Sequence, residues 1–232
     1  RSPASLGAMA NIMRATHLDE AIFASLCRES DMYHVLQRCA ILVSRMALTM
    51  PPPMFHDMVR ATASWPDLCR RLISTSATLS HARSRKLVAL GLAHMLRHAS
   101  AQDKGLLSAV PDMIGMWTEV VGEVVEDEAG SADRYERELS PTRALEIGED
   151  GIPFLDEFGL IEAAPTPSSA RTDAVRSRDP SFTVPLRAYV ADTLNAVLQN
   201  GSYKTQLQSL LATIDPLVLD TLQRGLSERP VA

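Results

Sequence analysis

The chain has 232 residues, 46% of them apolar, with 23 Lys and Arg against 28 Asp and Glu for a formal charge of −5. That length and apolar content suffice for one sizeable core or a short superhelical array, and the mild negative balance excludes a surface dedicated to coating DNA. Three cysteines with no close pair cannot supply four metal ligands, and no apolar run approaches the roughly 20 residues that cross a bilayer, so neither a cysteine metal cluster nor membrane insertion is expected. The opening RSPASLGAMANIMRAT lacks the order of a secretory signal. With no initiator Met, Arg1 reads as an internal point of a longer protein or as a residue left by cloning.

Taken in chain order, the pattern is helix after helix. Ser2 and Pro3 open the first, with Leu6, Met9, Ile12 and Met13 at helical spacing. Leu18, Ile22, Phe23 and Leu26 mark the second, with Asp19 and Glu20 in its first turn, where the helix dipole favours acids. A longer stripe from Met32 to Leu48 stops at Pro51, Pro52 and Pro53, which a helix interior does not tolerate. Shorter helices follow over Met54–Ala63 and from Trp65–Pro66–Asp67. Ser80 is the expected cap of a helix reaching His98, with Leu87, Leu90, Leu92, Met95 and Leu96 as its apolar stripe. A break at Pro111 precedes a helix carrying Ile114, Trp117, Val120, Val121 and Val124.

After Trp117 the composition changes. Residues Glu119 to Glu162 hold 14 acids and three bases, or −11, against −5 for the whole chain. Glycines and prolines interrupt this section, and a small-residue linker follows it. Order resumes with a helix marked by Leu186, Tyr189, Val190, Leu194 and Val197. A second carries Leu207, Leu210 and Leu211, and a third is capped by Asp215 and stopped by Gly225. The expected fold is all-α, a HEAT-repeat-like solenoid of antiparallel helical hairpins, in which each hairpin buries its apolar face on the next. The expected organisation is HEAT-like repeats over 1–128, an acidic, partly flexible insertion and linker over 129–182, and capping helices over 183–232.

Signals of chemistry are sparse. The sequence holds no phosphate loop, dinucleotide fingerprint, HExxH or Cys-x-x-Cys unit, so no cofactor, metal or catalytic set is expected. His94 and His98 share a helix face, but no carboxylate or thiol on that helix completes a metal site. Cys39 and Cys69 near His34 or His56 read as core positions. Nucleophilic use would need an exposed thiol of lowered pKa. Arg70, Arg71, Arg83, Arg85 and Lys86 form a basic cluster suited to an acidic partner. Without interleaved aromatics, it does not resemble a nucleic-acid platform. Glu123, Glu126, Asp127 and Glu128 read either as a solvated face or as a binding surface for something basic. Trp65 and Trp117 read as seals between helices, and the Met-rich first half as core, with part of it open to use as an adaptable groove.

Two stretches carry a family resemblance. ARSRKLVALGLAHMLRH (Ala82–His98) with VPDMIGMWTEVVGEV (Val110–Val124) resembles the C-terminal region of importin-β-family (karyopherin) transport receptors. There an Arg-Lys-Leu helix precedes a helix with a central Trp and then an acidic insertion. Arg85, Lys86, Leu87, Leu90 and Trp117 match that pattern. RDPSFTVPLRAYVADTLNAVLQ (Arg178–Gln199), with Asp179, Pro180, Thr183 and Leu186, resembles the segment before the final helices of the importin-11 and fungal Kap120-like group, and of importin-9-like receptors. The closing IDPLVLDTLQ fits the same place. The resemblance implies a HEAT-repeat receptor shuttling between nucleus and cytoplasm, with protein cargo, the Ran GTPase and nucleoporins as partners. It also implies that this chain is a C-terminal piece, without the family's principal Ran-binding repeats. Two alternatives stand beside it: a non-transport HEAT scaffold in a regulatory or assembly complex, and an enzyme with a helical pocket around Cys39, Cys69, His34 or His56.

Overall fold

The computed structural model describes residues 13, 15–27, 33–100, 102–130, 179–201 and 203–227, with only the backbone described at 104 and 125–130. The helix expected near Pro3 and most of the acidic insertion and linker lie outside the described residues. Among those described, every regular element is helical. They are α1 (Leu18–Cys27), α2 (Tyr33–Thr49), α3 (Pro52–Thr62), α4 (Trp65–Ser76), α5 (Ala82–Arg97), α6 (Lys104–Ser108), α7 (Val110–Gly130), α8 (Pro180–Thr183), α9 (Leu186–Gln199), α10 (Lys204–Leu211) and α11 (Pro216–Ser227).

The chain divides into two compact units, one of Arg1–Val124 with Pro185–Glu228 and one of Val125–Val184 with Arg229–Ala232. The first unit is a stack of helical hairpins, consistent with HEAT or TPR repeats. α1 packs on α2, α3 and α4, while α2 packs on α5 and α5 receives α9. α9 in turn meets α10 and α11. This order follows from burial. From Lys86 to Ala93 every residue of α5 is buried, so the helix is covered on all sides. α1, by contrast, buries only a stripe of Asp19, Ile22, Phe23 and Leu26. Met46, Met50 and Met58 lie in the core.

Two close approaches fix the packing. A Cβ on Gly91 of α5 would stand 2.9 Å from Ser44 Cβ and 3.0 Å from Ser44 Cα, so α2 and α5 meet nearly backbone to backbone. Trp117 of α7 is fully buried and donates its indole N–H to the carbonyl of Ala89 at 3.1 Å.

Several ends match their sequence signals. Ser64 caps α4, its Oγ accepting from the Asp67 N–H at 3.3 Å, with Pro66 in the first turn. Asp215 accepts from the Leu217 N–H at 2.8 Å at the start of α11. Two ends differ. The cap position of α5 is His81, in extended conformation, and Ser80 stands one residue outside. Gly225 does not stop α11, which runs to Ser227. A Cβ there would stand 3.0 Å from Val121 Cγ1, so this glycine admits α7. In the second unit, Asp179 caps α8 by accepting from the N–H and hydroxyl of Ser181 at 3.0 and 2.8 Å, with Pro180 in the first turn.

Candidate partner-binding surface

The basic residues singled out in the sequence do not form one open ridge. Arg70 is exposed on α4 and pairs with Asp67 at 3.0 Å, and Arg71 beside it is half-buried. On α5, Arg83 is half-buried and Lys86 is buried. Arg85 is 14% exposed and turns onto α7, where it pairs with Glu119 at 3.2 Å and with Glu123. Its guanidinium therefore clamps two helices, and its Nε is buried without a partner among the described residues. Glu126, Asp127 and Glu128 belong to the helix of Val110–Gly130, but their side chains lie outside the described residues.

Titratable groups inside the fold are held by packing. Asp103, between α5 and α6, is 1% exposed. It accepts from Trp65 Nε1 at 2.9 Å, from the N–H and hydroxyl of Ser100 at 2.8 and 2.7 Å, and from His56 Nδ1 at 3.0 Å. Burial pushes its pKa up, yet the bonds from Ser100 and His56 outweigh that and hold it below the usual carboxylate value. An ionised carboxylate only accepts, so Nδ1 of His56 carries the proton.

His94 shares a hydrogen bond with the Tyr189 hydroxyl, joining α5 to α9, and its ring lies 4.5 Å from that of His98. Arg97 sits over the Tyr189 ring at 5.5 Å. Burial, then the neighbouring charges of His98, His56 and Arg97, lower the His94 pKa to about 4. The thiols move the other way. Burial raises Cys27 and Cys39 and takes Cys69 to about 12, so none is a poised nucleophile. Among the described residues no three metal-binding side chains gather into a site, and no helix is long and apolar enough to cross a membrane.

One open surface lies where α4 faces the first turns of α7. A groove of about 440 Å³ runs between them. Ile73 and Ala77 on the α4 side face Pro111, Gly115 and Met116 of α7, with Asp112, Glu119 and Arg70 at the rim. Ser76 is fully buried in its lining, and among the described residues its Oγ has no hydrogen-bond partner.

The sequence of α7 gives this surface its sign, because Val110–Gly130 contains acids and no Lys or Arg. Asp112, Gly115, Glu119 and Gly122 recur along one helix face. An interior helical glycine costs roughly 1 kcal/mol relative to alanine. Among the described residues, a Cβ at Gly115 or Gly122 would meet nothing within 4 Å, so no described neighbour calls for glycine there, unlike Gly91. Sequence reasoning missed Asp112, Gly115 and Ser76. The one available signal was glycine alternating with acid on a single face.

The family model described as importin-11-like, TPR repeats, matches residues 2–227. No curated protein and no solved structure matches the chain. The matched span takes in every helix described above, and the chain belongs to the importin-11-like family.

Proposed function

We propose that this chain is the cargo-binding part of a nuclear transport receptor, working by surface complementarity without bond chemistry. In the complete receptor it would support Ran-regulated passage of proteins between nucleus and cytoplasm, with nucleoporins as further partners. The observation that carries this reading is the family match over residues 2–227, running along stacked helices with an open, charged groove. The acids of α7 suit steering of basic proteins, since complementary charge raises the rate of encounter and fixes register. Arg70, Arg71 and Arg83, with Glu123, Glu126, Asp127 and Glu128, remain proposed partner-facing positions. Arg85 and Lys86 would act instead through the packing of α5, and Trp117, Asp179 and Pro180 through structural roles.

The test is a pull-down with the intact parent protein, with and without Ran-GTP. Recovery of nucleoporins and of a client displaced or loaded by Ran-GTP supports the receptor. Clients indifferent to Ran, with no nucleoporin recovered, would identify a HEAT scaffold outside transport.

A further inference from the structure

The two histidines at the end of α5 gain partners from the fold. His94 and His98 are four residues apart, so they leave one face of the helix a turn apart, and their ring centres lie 4.5 Å from each other. Two imidazoles bonded to one metal ion at about 2.1 Å hold their ring centres about 3.2 Å from the ion, and about 4.5 Å from each other at a right-angled bite. The observed spacing is the one a chelating pair requires. Tyr189 of α9 sets the chemistry of the first ring. Its hydroxyl meets Nδ1 of His94 and can accept as well as donate, so the tautomer protonated at Nδ1 is open to this ring and leaves the Nε2 lone pair for a metal. An outer hydrogen bond of this kind is what orients metal-binding histidines in general.

The surroundings keep both rings unprotonated, as a metal ligand must be. Burial comes first, ahead of neighbouring charges, in lowering His94 to about 4, and burial followed by Arg97 lowers His98. His94 is half-buried, whereas His98 is exposed and lines an open cavity of about 710 Å³ with His56, Ser100 and Gln102. Water therefore reaches the positions that two protein ligands leave open. The negative end of the α5 dipole favours a cation in this last turn, while Arg97, over the Tyr189 ring at 5.5 Å, opposes one.

We propose that His94 and His98 form an open two-histidine site for a divalent transition ion of the kind imidazole prefers, Zn²⁺, Ni²⁺ or Cu²⁺, with Tyr189 positioning His94. Among the described residues no third metal-binding side chain joins them, so water completes the coordination and the ion exchanges freely, unlike one in a closed structural centre. A bound ion stiffens the seam between α5 and α9 through the His94–Tyr189 bond. The site is separate from the protein-binding reading and does not rest on it.

The chain, prepared without a histidine tag, is titrated with Zn²⁺ by calorimetry and with Cu²⁺ by electron paramagnetic resonance. A single ion is expected to bind, to show coupling to two imidazole nitrogens in the copper spectrum, and to raise the urea midpoint. His98→Ala, at an exposed side chain, removes the chelate and is expected to weaken binding about a hundredfold. Tyr189→Phe is expected to weaken it about tenfold, and His34→Ala, exposed on α2, to leave it unchanged. Circular dichroism establishes that the variants fold, and His98→Ala carries the test even if Tyr189→Phe does not. No binding at roughly 100 µM Zn²⁺, equal affinity of folded His98→Ala and the parent chain, or a copper spectrum with a single coupled nitrogen would each overturn the proposal.

Discussion

Burying a carboxylate is costly unless its oxygens are met, and Asp103 meets that condition by drawing bonds from α3, α4 and its own turn. Asp103→Ala leaves Trp65 Nε1, His56 Nδ1 and the Ser100 N–H without their acceptor. We expect a loss of about 3 kcal/mol in urea unfolding, in the range seen when one member of a buried polar pair is removed. Because the folded pKa lies below 3.8, the carboxylate's contribution is complete above the unfolded value and is lost as pH falls through the folded one. His94 gives a second acid-sensitive term. Its folded pKa of about 4 lies below the ordinary 6.5, so the unfolded chain takes up the proton first. Stability should decline as pH falls from 6.5 toward 4. His94→Gln should flatten that decline in urea midpoints measured across the window. An unchanged slope would show that His94 is not its source.

Helix existence was legible from periodicity because apolar spacing decides which face is buried, and α1 to α5 lie where their stripes predicted. Helix ends were legible where a side chain closes the first turn, as at Asp215, whereas the start of α4 was read from Trp65–Pro66–Asp67 without its Ser64 cap. Ser80 misled because a cap requires both a competent side chain and the right position, and the extended residue before α5 is His81. Gly225 misled because glycine serves two purposes, ending a helix or admitting a neighbour, and here Val121 stands against it. The same distinction sets a prediction at Gly91. Since Ser44 backbone and Cβ stand at or within 3.0 Å of its missing side chain, Gly91→Ala must push α2 from α5. A loss of about 1–3 kcal/mol is expected from chemical denaturation, where a free glycine site would gain from alanine.

At the level of the whole chain, the family was legible because its signature lies in buried residues such as Leu87, Leu90 and Trp117, which packing constrains. The contact surface was much less so. Arg85 looked like a surface base and is a clamp between helices, since only the tertiary approach of α7 brings Glu119 and Glu123 to it. The cluster around Asp103 joins residues 38 and 47 positions apart, a separation no local pattern encodes.

Both tryptophans are buried, but in chemically different places, and this makes the protein its own optical reporter. Trp117 lies wholly among α5 and α7 with a carbonyl as its polar contact, so its emission should be blue and shielded from iodide. Trp65 stands 4.9 Å from the His56 ring and donates its indole N–H to the Asp103 carboxylate, a more polar setting that shifts its emission away from that of Trp117. Trp65→Phe and Trp117→Phe chains would therefore allow the α5–α7 seam and the turn around Asp103 to be followed separately during unfolding. Coincident transitions would show that the two come apart in one cooperative step.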